Sequence, residues 1–272
     1  MNIKNIIIIA ISLGIILCNM TSCNFSNDVM KSMIRSKLGK DEFRDSEKWG
    51  KVITKPLDLS EFTHIYLSGN ADINFKQGDS LIVKVYGNEK AIEMNDIFVE
   101  DGALHVSKKD GKSNLPNIKL YVTAPTVESI CVAGAGDIDL KNDIHLPNDL
   151  FITVSGAGDV EIDKLTCQWF SVMLSGAGDF SAKKINSNKA DISISGAGDV
   201  DADIKATDIS IQVSGAGDAN LKVACENVTA IASGAGDITL KGECAHISKS
   251  ASGMSGIDSR DLKVKNNIDI RK

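Results

Sequence analysis

From residue 128 onward, apolar and polar positions alternate in short runs, and each run is broken by the same four residues. Gly-Ala-Gly-Asp occurs six times, with its first glycine at Gly134, Gly156, Gly176, Gly196, Gly215 and Gly234. The steps between copies are 22, 20, 20, 19 and 19 residues, and a degenerate copy at Gly253 follows after 19 more. A recurring period near twenty predicts stacked repeats, because one short strand pair cannot bury its apolar side alone.

Aligning the copies on the first glycine defines columns. Two residues before it stand Val132, Val154, Leu174, Ile194, Val213 and Ala232; four before it stand Ile130, Ile152, Val172, Ile192, Ile211 and Ala230. Four residues after it stand Ile138, Val160, Phe180, Val200, Ala219 and Ile238, and six after it Leu140, Ile162, Ala182, Ala202, Leu221 and Leu240. Ser, Thr, Asp, Glu, Lys and Asn fill the places between. One face of each unit is therefore expected to be buried and the other wet, with the period of two that marks a strand. Unbroken parity turns Gly134, Gly136, Gly156, Gly158, Gly176, Gly178, Gly196, Gly198, Gly215, Gly217, Gly234 and Gly236 inward. It leaves the Ala and Asp of each copy facing out. Inward glycines between large aliphatics predict a bend that comes too close to the core for a side chain. Each unit reads as strand, bend, strand and a polar return of roughly eight residues, together an all-β, right-handed parallel β-helix. In the last copy Lys249 and Ser259 replace core residues, as expected of a terminal cap.

The chain before residue 128 is less regular. Phe62–Tyr66 leads into Leu67-Ser-Gly-Asn-Ala-Asp-Ile73, a divergent copy without the second glycine. Strands are expected over Ser80–Tyr86, Ile97–Glu100, Leu104–Ser107 and Ile118–Thr123, with a polar segment at Asn88–Asn95 and a Lys/Gly/Ser loop at Lys108–Asn114. Residues 24–50 are polar and read as a tether, with a weakly amphipathic stretch at Val29, Met33, Ile34 and Leu38 that suits a short helix. Ahead of it, Lys4 and the apolar run Ile6–Leu17 form a processing segment. It ends at Met20-Thr21-Ser22-Cys23, which resembles the lipobox of bacterial lipoproteins and implies lipidation at Cys23; the alternative is a plain secretory signal with an incidental cysteine. The expected organisation is a signal peptide at 1–22, an anchor and tether at 23–50, and one head domain at 51–272. Within the head, 51–127 is the irregular β part and 128–260 carries the regular repeats.

The formal charge of −6 becomes −7 once Lys4 is removed, and acidic and basic residues are interspersed. That argues against a nucleic-acid partner, which needs a basic stripe. The outward column Asp137, Asp159, Asp179, Asp199, Asp218 and Asp237 is the one candidate constellation. Like charges about 4.8 Å apart repel, so something must offset them. Either each carboxylate accepts backbone N–H groups at its bend, or calcium sits among them. The first reading is favoured; calcium is the only cofactor the pattern suggests, and no other metal site is expected. Catalysis by a β-helix on an acidic polysaccharide would need Arg or Lys beside Asp clusters. The four arginines, Arg35, Arg44, Arg260 and Arg271, all miss the repeats between 51 and 259. His64, His105, His145 and His246 are scattered and read as surface or turn residues. Cys131, Cys167, Cys225 and Cys244 form no CxxC and are expected to be free, buried thiols, although Cys225 and Cys244 fall one above the other on neighbouring rungs.

Together Phe62-Thr-His-Ile-Tyr-Leu-Ser-Gly-Asn-Ala-Asp-Ile73, Phe75-Lys-Gln-Gly-Asp79, Asp101-Gly-Ala-Leu-His-Val106, Ile118–Pro125 and the first Ala-Gly-Ala-Gly-Asp137 resemble the auto-transporter adhesin, head GIN domain family, common among Bacteroidetes lipoproteins. The resemblance runs from about Lys51 to the end. It implies a right-handed β-helical fold and brings no catalytic residues. The functional expectation is a non-enzymatic adhesin-like lipoprotein at the cell envelope, anchored in the outer membrane on its periplasmic or surface face. It would bind glycan or protein through the repeat surface. The alternatives are a β-helix enzyme acting on acidic polysaccharide, or a structural envelope or stress-response component.

Overall fold

The computed structural model describes residues 47–109 and 116–265. The segment 1–22, Cys23, the helix expected near Val29–Leu38 and most of the Lys108–Asn114 loop lie outside the described residues. Each Gly-Ala-Gly-Asp copy joins two strands of one rung, and equivalent strands of successive rungs pair in parallel. The strands entering the bends stack as β6 (Ala103–Lys108), β2 (His64–Leu67), β8 (Ser129–Val132), β10 (Leu150–Val154), β12 (Trp169–Leu174), β14 (Lys189–Ile194) and β16 (Asp208–Val213). The later halves of β17 (Ala219–Ala232) and β18 (Ile238–Ala251) follow. Strands leaving the bends stack as β7 (Lys119–Ala124), β3 (Asp72–Gln77), β9 (Ile138–His145), β11 (Val160–Thr166), β13 (Phe180–Asn186) and β15 (Val200–Lys205). The early halves of β17 and β18 and then β19 (Ile257–Val264) complete that stack. The result is a parallel β-solenoid, and all described residues belong to one compact unit.

The rungs do not follow chain order at the N-terminal end. β2 lies between β6 and β8, and β3 between β7 and β9, so the divergent first copy is sandwiched by rungs that come later in sequence. The chain first leaves the stack through β4 (Ile82–Asn88), a single helical turn α1 (Glu89–Glu93) and β5 (Asn95–Glu100). β4 pairs antiparallel with β7, β1 (Val52–Leu57) pairs antiparallel with β4, and β5 pairs antiparallel with β6. These antiparallel strands cover the edges that a naked first rung would expose.

The four aliphatic columns are the core. Their members in the six regular rungs are all buried, as are Ile65, Leu67, Ile73 and Phe75 of the first copy. Volume is balanced along the stack: Phe180 and Phe170 meet at 5.5 Å between ring centroids, and the nearby Ala182, Ala190 and Ala202 are small. In the last copy Lys249 and Ala251 are exposed.

The polar return of eight residues is not found. The strands run on after the bend, burying a further inward residue (Ile144, Leu165, Ile185, Ile204 or Val223), and only a few residues turn the corner. β17 and β18 pass the corner as continuous strands. Bulges and a shorter corner explain the drifting period. Between β9 and β11 the register slips by one after Ile162, where Asn142 is the extra residue and takes φ 71°. A second slip between β13 and β15 shortens the period from 20 to 19.

Candidate functional site

The bend is built by backbone contact between rungs. A Cβ on the first glycine of any regular copy would lie 1.9–2.1 Å from the carbonyl oxygen of the equivalent glycine one rung back. The second glycine is as restricted, with 1.9–2.0 Å to the rung below. None of these twelve has a positive φ. Parity placed them inward, and the second glycine of each copy is indeed buried, but the obstacle is the neighbouring rung's backbone and not the core. Gly69, in the first copy, is the exception. Its nearest neighbour would be Ser107 Cα at 3.5 Å, because the rung beneath it is β6–β7 and carries no Gly-Ala-Gly-Asp bend. For the same reason Ala71 fits where later copies need glycine.

Asp side chains continue the hydrogen-bond ladder through the bend. The Oδ1 atom of each Asp accepts the backbone N–H of the equivalent residue one rung on. Asp137 Oδ1 accepts from Asp159 at 2.9 Å, Asp159 from Asp179 at 2.8 Å, and Asp179 from Asp199 at 3.0 Å. Asp199 then accepts from Asp218 at 2.8 Å, and Asp218 from Asp237 at 2.7 Å. Two ends escaped the sequence reading. Asp72 starts the ladder, with the Asp137 N–H 3.4 Å from its Oδ1, and Gly256 closes it by donating to Asp237 at 2.6 Å. Asp72 could have been found from the divergent copy, whose Asp is kept although its glycine is lost.

Outside the ladder, the next outward column carries Asp139, Glu161, Ser181, Asp201 and Asn220 in register along the sheet. The two columns enclose a groove of about 480 Å³ lined by Asp137, Asp159, Asp179 and Asp199 on one side and Asp139, Glu161 and Asp201 on the other. A third column alternates in sign as far as Lys222, and its lysines offset part of the charge. Lys141 Nζ is 3.4 Å from Asp139 and 3.7 Å from Glu161, while Lys183 bridges Glu161 and Asp163. The hydrogen bond from Lys183, with the N–H of Asn142, holds the Asp163 carboxyl below the usual range. The Arg260 guanidinium does the same for Asp258, bringing it down to about 2. A second groove of about 310 Å³ continues the same face toward the C-terminus past Lys183, Lys222 and Lys241.

The opposite sheet has another character. Phe98 stacks on His105 at 5.0 Å, His105 meets Tyr66 at 5.6 Å, and Phe151 meets Trp169 edge-on at 5.2 Å. Lys189 lies 4.3 Å over the Trp169 ring, whose Nε1 donates to Asp191 at 2.7 Å. Composition alone hides this grouping, because the aromatics are far apart in sequence. His105 is thus part of an aromatic cluster. Among the described residues, no group of three or more His, Cys, Asp or Glu side chains comes together to hold a metal ion, and the ladder Oδ1 atoms face N–H donors. The four cysteines among the described residues are reduced thiols; Cys131, Cys167 and Cys244 are buried, whereas Cys225 is only half-buried. No helix among the described residues is long and apolar enough to cross a membrane.

Known proteins supply a frame for this geometry. No curated protein matches the chain. Among solved structures, a "putative adhesin" from Bacteroides fragilis is 27% identical with a TM-score of 0.71, over 80% of this chain and 99% of that one. A "putative adhesin" from Parabacteroides distasonis is 20% identical with a TM-score of 0.58, over 77% of this chain and 97% of that one. A "putative lipid binding protein" from the same species is 22% identical with a TM-score of 0.59, over 82% of this chain and all of that one. The last two show the shared fold alone. The family model "putative auto-transporter adhesin, head GIN domain" matches residues 61–223 and 190–271. That match spans most of the chain and both the divergent and the regular copies, so the protein belongs to this adhesin head-domain family.

Proposed function

We propose that this protein is a non-catalytic, adhesin-like β-solenoid held at the cell envelope through a lipid on Cys23, and that it binds glycan or protein along its repeat surface. The observation that carries the reading is the outer groove. It is long, open and repeated rung by rung, with no Arg, His or metal cluster among its lining residues. A surface of that kind suits an extended ligand making the same contact several times, so that weak single contacts add up. The ladder aspartates already bond to backbone, so recognition is assigned to the column beside them, Asp139, Glu161 and Asp201. An enzyme acting on acidic polysaccharide is the weaker reading, because seven lining carboxylates repel a polyanion.

The test is binding of soluble residues 24–272 to glycan arrays and to matrix and envelope proteins. Binding is expected, and it should be lost on combining Asp139→Asn, Glu161→Gln and Asp201→Asn without a change in melting temperature. Absence of binding to every surface would end the adhesin reading. Turnover of acidic polysaccharide that disappears in Asp179→Asn or Asp199→Asn would replace it with the enzymatic one. Protease shaving of intact cells reports the membrane face: cleavage is expected for a surface adhesin, and complete protection would confine the head to the periplasm.

A further inference from the structure

Cys225 and Cys244 are register partners on the parallel strands β17 and β18. Among the described residues they are the only cysteines paired in this way. Cys131 lies between Tyr66 and Thr153, and Cys167 follows a strand whose partner ends at Asn186. We propose that Cys225 and Cys244 form an oxidisable pair that closes a disulfide across neighbouring rungs when the chain meets a disulfide oxidant.

In-register parallel neighbours stand roughly 4.8 Å apart at Cα, inside the range a disulfide spans, but their Cβ atoms must approach by up to about 1 Å. Irregular backbone flanks the pair on both sides. Gly242, two residues before Cys244, has φ +104° and sits so close to the rung below that a Cβ would be 2.2 Å from Val223 O. On the other side the pairing lapses for one residue, Glu226 opposite Ala245, where the rung turns its corner. The pair therefore lies between a left-handed glycine and a break in the ladder. Cys225 is half-exposed and can meet the oxidant, whereas Cys244 is buried beneath β19 and can act only as the second partner. The site also matters mechanically. Among the described residues β18 is the last strand to pass both faces, and a link to β17 would fasten that rung to the one before it.

With oxidised glutathione as the oxidant, the Cys225 thiolate attacks one glutathione sulfur. The glutathione S–S bond breaks, and one glutathione thiolate leaves. Cys244 then gives up its proton and attacks Cys225 Sγ, and the second glutathione thiolate departs. Two protein thiols are oxidised, and one glutathione disulfide is reduced to two glutathiones. Burial pushes the Cys225 thiol up to about 12, with Cys244 beside it adding to the shift, so the first step should be slow at neutral pH and accelerate as pH rises.

The experiment treats the full chain with oxidised glutathione, alkylates remaining thiols in denaturant and maps peptides without reduction. The expected result is a peptide joining Cys225 to Cys244, with the mass of two hydrogens lost and restored by reductant. It should be absent from C225S and C244S, retained in C131S and C167S, and accompanied by a raised melting temperature in the wild type alone. Full alkylation of both cysteines, a glutathione adduct that stays on Cys225, or linkage to Cys131 or Cys167 would each overturn the proposal.

Discussion

At a solenoid bend a side-chain carboxylate can do what a backbone carbonyl does inside a strand. Asp179 Oδ1 accepts the Asp199 N–H at 3.0 Å, and its own N–H goes to Asp159 at 2.8 Å, so each aspartate is both donor and acceptor in one chain of bonds. Asp179→Ala would remove the acceptor of the Asp199 N–H at an exposed bend, where water replaces part of the bond, and we expect a loss of about 0.5–1.5 kcal/mol in urea unfolding. Asp179→Asn keeps an acceptor oxygen and removes a charge from a crowded column, so it should cost less than half as much. Equal losses in the two variants would show that the hydrogen bond is not what the side chain supplies. The aspartate column was legible in the sequence, but the bonding partner was not: it stands 19 to 22 residues away, and only the stack brings it into reach. The thiols give a second residue-level expectation. Burial pushes Cys167 and Cys225 up to about 12, so iodoacetamide at pH 8 should label both far more slowly in the native protein than in denaturant. Labelling at similar rates would contradict that.

Strands and corners are where the repeat departs from regularity. The aliphatic columns were readable because a period of two leaves no ambiguity about which side is buried. The length of each strand was not readable, because beyond the sixth position the inward residue shifts from rung to rung through bulges. Asn142, with φ 71°, is held in one such bulge by Asp163, which also pairs with Lys183. The folded pKa of Asp163 is below its ordinary value, so its contribution is fully present above about pH 4 and is lost as pH falls through the lower folded value. The stability gap between wild type and Asp163→Asn should therefore shrink in urea titrations below pH 4. A gap that stays constant down to pH 2 would contradict the assignment. The exposed lysine partner is screened by solvent, so the effect should be modest and should weaken further in salt.

For the whole molecule, stacking decides both what the repeat is and what it leaves to function. The sequence displays copies in order, yet the first copy is inserted between rungs that follow it, because β4 and β5 carry the chain out and back before β6 and β7 are laid down. Such non-local pairing leaves no local signature. It also separates two faces: an acidic groove beside the ladder and, on the opposite sheet, two aromatic groups, one of Phe98, His105 and Tyr66 and one of Phe151 and Trp169. The motif that dominates the sequence is thus a device for piling bends on one another, and the columns beside it take no part in the bends. The cost of a methyl group at bend glycines with and without another bend beneath them probes this division. In Gly178→Ala the Cβ would be 2.0 Å from Gly158 O, with another bend directly beneath, whereas in Gly69→Ala the nearest atom is 3.5 Å away. Urea unfolding should show Gly178→Ala losing roughly 3 kcal/mol or more and Gly69→Ala less than about 1 kcal/mol. Similar losses at the two sites, or a tolerated Gly178→Ala, would mean that something other than stacked bends dictates the repeat.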